Sequence, residues 1–477
     1  MFRDENDKVV TKARVPKAKT TADQRKRAPR LTSGSNSRAG TPSTNDSQEI
    51  MPLRLPSPSS TTLALEDEGI RFFFNHYSPL GTPQSAADQE LRIRSSPMFP
   101  LITENESFHN AVSSVGSAGL YNVTKDPKHM IVARKKYAAS LRDITRSLGD
   151  LAHSDLDATF KAVMLLTAFE IVNGSSQSIG IGTSWGVHID GGAAILKMLT
   201  SAMPAFRSDS KGWIQFIFAV YIKSLSRGDD AAAEMRAWAE ACKKDVKVPE
   251  VHAIDLTHII YRFTNLHASL RQGLLLDSNI VVLEALVLDA ELEDWETNLP
   301  EEWKFETVPA PDIMYFTYNG KTHNYHDFWV GRILNNYRWV RILVNELLMV
   351  HMVRLGTSGA EYKEQRRRSY GIIERMATDI CTGISASFFR HSSLGPGQKD
   401  VPAMSGIFII LFPLAVAGSA MGVSQGIHEW VINTLRFIGN RMGICQAISI
   451  IELIRKQRKA FEEQTLSHVI TNLWGAV

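Results

Sequence analysis

From Ser154 to Gly174 the chain reads SDLDATFKAVMLLTAFEIVNG, and its apolar residues recur with the 3.6-residue period of an α-helix. Phe160, Val163, Met164, Thr167 and Ile171 fall at i, i+3, i+4, i+7 and i+11 and so share one face, with Ser154 able to cap the start and Gly174 the end. A polar Gly/Ser stretch follows, and then Ile181 to Thr200, IGTSWGVHIDGGAAILKMLT, places Trp185, Ile189, Gly192, Ile195 and Leu199 on a second stripe. Glycine is costly inside a helix, so Gly191 and Gly192 predict a neighbouring backbone packed close against them. Two apolar stripes joined by a short loop predict an antiparallel helical hairpin.

The same period runs through most of the chain. LEDEGIRFFFNHY puts Ile70, Phe73, Phe74 and Tyr77 on one side. SFHNAVSSVGSAGLYNV mixes Phe108, Val112, Val115 and Leu120 with Ala, Ser and Gly, a composition that lets helices approach closely. Asp126-Pro127 opens a helix to about Leu148 that is basic on one face and apolar on the other. Further helical runs follow from Lys211, Asp255, Asn279, Phe328 and Tyr370 onward, and no sustained period-2 run predicts a strand. The predicted fold class is all-α, a large domain of packed helical hairpins. Ala403 to Val423 carries no charge and by length could span a membrane; Pro413 and the Gly/Ala-rich end fit a buried central helix better.

Charge divides the chain. Its 477 residues carry a net charge of +3, yet residues 1–45 alone hold eleven Lys/Arg against four Asp/Glu, leaving the remainder acidic. Residues 1–62 are poor in aromatics and rich in Ser, Pro, Lys and Arg, a composition that cannot bury enough surface to offset ordering, so a disordered tail is expected there and an ordered domain over 63–477. Lys12, Arg14, Lys17 and Lys19, then Arg25, Lys26, Arg27 and Arg30, form two basic clusters suited to a nuclear-import receptor or to phosphates. Thr41, Ser57, Ser78, Thr82 and Ser96 each precede a proline and would suit proline-directed kinases if exposed.

The chain offers no convergent catalytic or metal-ligand pattern. The three cysteines, Cys242, Cys381 and Cys445, have no metal-ligand spacing and offer no disulfide framework. Gly180 and Gly182 are followed by Trp185 where a dinucleotide fingerprint needs glycine. On a helix His188 and Asp190 point about 200° apart and cannot share a metal, and Asp229, Asp230 and Glu234 diverge similarly. His188 is therefore expected to be packed or hydrogen-bonded. Glu170, between Phe169 and Ile171, is expected to be a partly buried carboxylate in need of a donor. The charged runs Arg366 to Arg368 and Arg455 to Lys459 read as solvated helix faces.

An apolar helix ending LLTAFEI, a polar loop and then WGVHIDGGAAIL resembles the regulatory domain of fungal zinc-cluster transcription factors. The resemblance recurs in order: SFHNAVSSVGSAGL is similar to that family's first core helix, and DAELEDWETNLPEEWKF to its block around Trp295, Pro300 and Trp303. DICTGISASFF, FIILFPLAVAGSA and WVINTLRFIGNRMGICQA resemble three later blocks, so the likeness covers most of residues 63–460. It implies a nuclear, non-enzymatic regulator of genes read by RNA polymerase II, with the transcription machinery or a homo- or heterodimer partner as its contacts. It marks Glu170, Trp185, His188, Gly191, Gly192, Trp295, Pro300 and Trp303 as structural motif residues.

One departure matters. The family reads DNA through six cysteines around two zinc ions, and no cysteine precedes Cys242 here. MFRDENDKVVTKARV resembles the connector that follows that cluster, so zinc is expected only in an upstream module, with Met1 then an internal methionine. No cofactor is expected in the chain itself, and DNA contact is expected only nonspecifically through the tail. The alternative reading is an all-α enzyme or small-molecule-binding protein with a pocket in its helical core.

Overall fold

The computed structural model describes residues 60–78, 85–150, 154–174, 185–202, 210–243, 246, 248–311, 316–356, 358–388 and 407–462. They form sixteen α-helices, one 3₁₀ turn and one two-stranded sheet, so the fold is all-α as the periodicity predicts. The basic clusters from Lys12 to Arg30 lie outside the described residues. In chain order the first helices are α1 (Ser60–His76), α2 (Ala86–Ser95), α3 (Phe99–Glu104), α4 (Glu106–Thr124), α5 (Pro127–Gly149) and α6 (Leu156–Asn173). Next come α7 (Trp185–Ala202), α8 (Ser210–Arg227), α9 (Ala233–Cys242), α10 (Val248–Arg271) and α11 (Ser278–Thr297). The sheet is β1 (Phe305–Pro309) and β2 (Lys321–Tyr325), and the chain goes on through α12 (Phe328–Arg354), α13 (Ala360–Phe388), α14 (Ile407–Ser419), α15 (Gln425–Arg441) and α16 (Cys445–Glu462).

Two helices buried on nearly every side organise the packing. The first is α4, against which α1, α3, α5 and α6 pack. Its Ser, Gly and Ala residues allow this, because a Cβ at Gly116 would stand only 1.9 Å from the carbonyl oxygen of Gly69 in α1. The second is α12, buried from Trp329 to His351 at every position but Arg332, and surrounded by α8, α10, α11, α13, α14 and β2. Polar bonds tie α1 and α4 to the turn before α16: the Asn122 amide donates to the carbonyl of Gly443, and also to that of Val172 in α6, both at 2.8 Å, and the Tyr77 hydroxyl donates to that of Met442 at 2.7 Å. Gly443 has φ +73°, and a Cβ there would come within 2.5 Å of the Gly119 carbonyl oxygen, so glycine is needed on both counts.

The predicted hairpin forms as α6 packed on α7, with two corrections. The cap of α6 is Asp155, whose carboxylate accepts from the Ala158 N–H at 3.0 Å; Ser154 turns its hydroxyl back to the carbonyls of Ser147 and Asp150. Among the described residues no backbone presses on the glycine pair of α7. A Cβ at Gly192 would meet the Phe216 ring at 3.0 Å, and one at Gly191 would meet nothing within 4 Å. The close backbone approach lies instead at Gly69 and Gly116.

The sheet is a further correction to the sequence reading. β1 and β2 pair antiparallel, in register from Phe305 with Tyr325 to Pro309 with Lys321. Five residues of mostly polar character show no period-2 hydrophobic signal, and β2 is held by burial of Thr322 and His323 against α12 and α13. Two of the proline-directed serines, Ser78 and Ser96, are buried, which removes them as kinase sites in the folded chain. The uncharged run folds as α14, a buried helix containing Pro413 and packed among α12, α13, α15 and α16. Among the described residues no helix is long and apolar enough to cross a membrane.

Candidate functional site

Three helices meet at three polar side chains. Tyr137 comes from α5, Glu170 from α6 and His188 from α7. The Tyr137 hydroxyl donates to Glu170 Oε1 at 2.8 Å and lies 2.8 Å from His188 Nε2. Since the phenol proton goes to Glu170, the Tyr137 oxygen accepts from a protonated Nε2 of His188. His188 Nε2 stands 3.7 Å from Glu170 Oε1, and both side chains are largely buried. Burial, reinforced by the Glu170 carboxylate, pushes the Tyr137 hydroxyl well above its usual range, so it stays a donor. Its ring packs on Phe169 at 4.5 Å between centroids, and Trp185 is buried at the start of α7. The cluster satisfies three polar groups that burial would otherwise penalise, and in doing so it joins α5, α6 and α7.

The neighbouring charges belong to the surface. Asp190, turned away from His188 as the spacing requires, pairs with Lys223 and lies 3.6 Å from Arg227. Asp229 is 3.3 Å from Arg227 and Glu234 is 3.8 Å from Lys197. Arg366, Arg367 and Arg368 are all exposed on α13.

The Trp295, Pro300 and Trp303 block forms a joint between α10, α11 and α12. Trp295 donates its indole N–H to the His252 carbonyl at 2.8 Å, and its ring packs against Tyr337 at 5.2 Å. Pro300 starts the 3₁₀ turn that carries Trp303 inward, where it meets Trp295 edge-on at 5.8 Å and Trp329 at 5.9 Å.

Beside this joint lies a polar seam that the sequence reading missed. Arg341, only 1% exposed, donates from Nε to Asp289 at 3.0 Å and from Nη1 to Glu296 at 3.1 Å and to the Tyr337 hydroxyl at 2.6 Å. Asn345 adds a bond to Asp289 at 2.8 Å, and Arg375 of α13 holds Glu296 by two bonds at 2.8 and 3.0 Å. Burial alone would raise the Glu296 pKa, but the bonds from Arg375 and Tyr337 outweigh it and hold the carboxyl below its usual range. Burial would likewise lower Arg341, and Tyr337 and Asp289 reverse that. The seam is therefore ionised and links α11, α12 and α13.

One turn of α12 earlier, Arg338 donates to the Tyr325 hydroxyl and to Asn335, both at 2.9 Å, and lies over the Phe305 ring at 5.0 Å. A Cβ at Gly383 would come within 2.5 Å of the Tyr325 hydroxyl, so the glycine makes room for this contact. Further along, Glu346 Oε1 accepts from the Met421 N–H at 2.7 Å, while its other oxygen is buried with no hydrogen-bond partner among the described residues. Burial pushes this carboxyl up to about 8, only partly offset by the Met421 bond. A signal for the seam was present in the sequence: Asn335, Arg338, Arg341 and Asn345 recur at helical spacing inside an apolar run, facing the acidic Asp289, Glu293 and Glu296 at i, i+4 and i+7 on α11.

The zinc cluster of the resembled family does not fit this chain. It needs six thiolates, whereas the chain has three cysteines, which stand at the end of α9, inside α13 and at the start of α16. Among the described residues no three His, Cys, Asp or Glu side chains group so as to hold a metal ion.

These features describe a helical scaffold whose buried polar groups join one helix to the next. Residues 70–247, from α1 to just before α10, match the family model described as fungal specific transcription factor domain. The match includes α4 and the Tyr137, Glu170 and His188 cluster, and it ends before the Trp295 block. A domain of this description is that of a transcription regulator. No curated protein and no solved structure matches the chain.

Proposed function

We propose that the chain is a nuclear transcription regulator of the fungal zinc-cluster family, acting at RNA polymerase II genes through its helical region. The observation that carries this reading is the match of residues 70–247 to the fungal specific transcription factor domain. In support, the polar clusters of that region and of α12 bind helix to helix, which suits a rigid body that presents surfaces to other proteins. The basic residues from Lys12 to Arg30 supply nuclear import and sequence-independent phosphate contact. The partners in this reading are the transcription machinery or a dimerisation partner, and the chain uses no cofactor of its own.

The test tethers the full chain upstream of a reporter through an unrelated DNA-binding domain in a fungal host. Reporter transcription is expected to change, up or down, with a fluorescent fusion concentrated in the nucleus. Replacing the eight basic residues from Lys12 to Arg30 with alanine is expected to move the fusion to the cytoplasm. A stable, nuclear, tethered chain that leaves transcription unchanged would overturn the reading.

A further inference from the structure

Helix α11 is apolar on two opposite sides. One side, with Val281, Ala285, Leu288, Leu292 and Trp295, is buried in the core. On the other, Ile280 is 45%, Leu283 64% and Val287 46% exposed, and with Leu286 and Ala290 they form a second apolar stripe along the helix. Acidic residues border that stripe: Glu284 and Glu291 along one edge, Glu293 along the other and Asp294 at its end. Helix α11 has no basic residue. Arg262 from α10 and Arg368 from α13 reach three of these carboxylates, so the border keeps a net negative charge.

Helix α5 presents the complement. Its outer face has a central line of Ile131, Ala138 and Thr145 at i, i+7 and i+14, with Ile131 68% exposed. Exposed Lys128, Lys135 and Arg142 lie along one edge of that line and Arg134 along the other. Ile131 is the one large exposed apolar side chain on this line, Ala138 and Thr145 adding small groups beside it, and cations flank it on both edges.

We propose that the outer face of α11 in one copy of the chain packs against the outer face of α5 in a second copy. A single contact then covers the α11 stripe together with Ile131, with the carboxylates of one helix set against the cations of the other. Nucleic acid would suit the α5 cations alone, leaving Ile131 against a polar surface and the α11 stripe uncovered. A pairing of α11 with its own copy would set carboxylate against carboxylate. The contact is head-to-tail, so it closes as a dimer only if both copies of it form at once and otherwise extends to a ring or chain. One helix crossing falls short of the ~1,000 Å² that a stable interface buries, so the association is concentration-dependent and weakens with salt.

The experiment uses the full chain. Sedimentation velocity over a range of concentrations, at low and high salt, is expected to show association that declines as salt rises. Carbodiimide coupling of a mixture of unlabelled and ¹⁵N-labelled chains is expected to join Lys128 or Lys135 to Glu284, Glu291, Glu293 or Asp294 in mixed-isotope pairs. Leu283→Glu and Arg134→Glu with Lys135→Glu are each expected to weaken association by roughly tenfold or more, with melting unchanged because these side chains are exposed. A chain that stays monomeric throughout, or an association that survives Leu283→Glu, would overturn the proposal. So would isotope-pure links alone, or a monomer whose α5 cations are needed only to retain duplex DNA. Should a variant fail to fold, the wild-type coupling pattern decides the matter alone.

Discussion

A methyl group added at Gly116 would sit 1.9 Å from the Gly69 carbonyl oxygen, a separation that only a shift of α1 away from α4 can relieve. Gly116→Ala is therefore expected to destabilise the fold by about 3 kcal/mol, the upper end for overpacking. Gly192→Leu should cost about 1–3 kcal/mol through the Phe216 ring, while Gly191→Ala, in open space, should stabilise by about 0.5–1 kcal/mol because alanine favours the helix. Thermal melts of the three variants check this order, and a wild-type melt for Gly116→Ala would show that α1 and α4 do not cross so closely.

At the same scale, Glu346 has its carboxyl raised from 4.5 to about 8 by burial, partly offset by the Met421 bond. The folded protein holds this proton where the unfolded chain releases it, so the stabilisation is present below the unfolded pKa and is lost as pH rises toward about 8. Across that window wild type is expected to lose stability relative to Glu346→Gln. Denaturant curves of the pair at several pH values read the difference directly, and a constant gap would mean that the carboxyl titrates normally.

Between elements, the seam on α12 decides how α11 and α13 are held. Arg341 serves Asp289 and Glu296 at once through different nitrogens, a fork that a lysine ammonium cannot reproduce. Arg341→Met leaves Asp289 buried with its charge uncompensated by that partner, and a cost of about 3–5 kcal/mol is expected. Arg341→Lys should recover only part of this. Urea midpoints comparable to wild type for both variants would show that the Arg375 and Arg368 pairs suffice to hold the helices together.

At the scale of the whole molecule, the charge asymmetry between the first 45 residues and the rest governs contact with nucleic acid. Binding of random duplex is expected to fall steeply with salt, to show no sequence preference and to vanish when residues 1–45 are deleted. Gel retardation on duplexes of different sequence checks all three, and a surviving preference for one of them would mean that the helical region reads bases.

The residues themselves determined which segments are helical: burial of one face enforces a 3.6-residue period in runs such as α5 and α15, while α12 and α14, buried all round, are marked by their length and apolar content. The all-α class, the α6 and α7 pair, the partly buried Glu170 in need of a donor and the hydrogen-bonded His188 could all be read at that level. Local sequence does not record which helix lies across from which, because apolar stripes are interchangeable as partners. Tyr137 could be recognised as the group between Glu170 and His188 only once α5 was packed on α6. Gly191 and Gly116 are both glycines within helical runs, and only the neighbouring chain separates open space from a backbone contact. The hairpin of β1 and β2 and the ionised seam of α12 were decided in the same way: five polar residues become a strand, and an arginine becomes a core residue, when partners distant in sequence supply their hydrogen bonds.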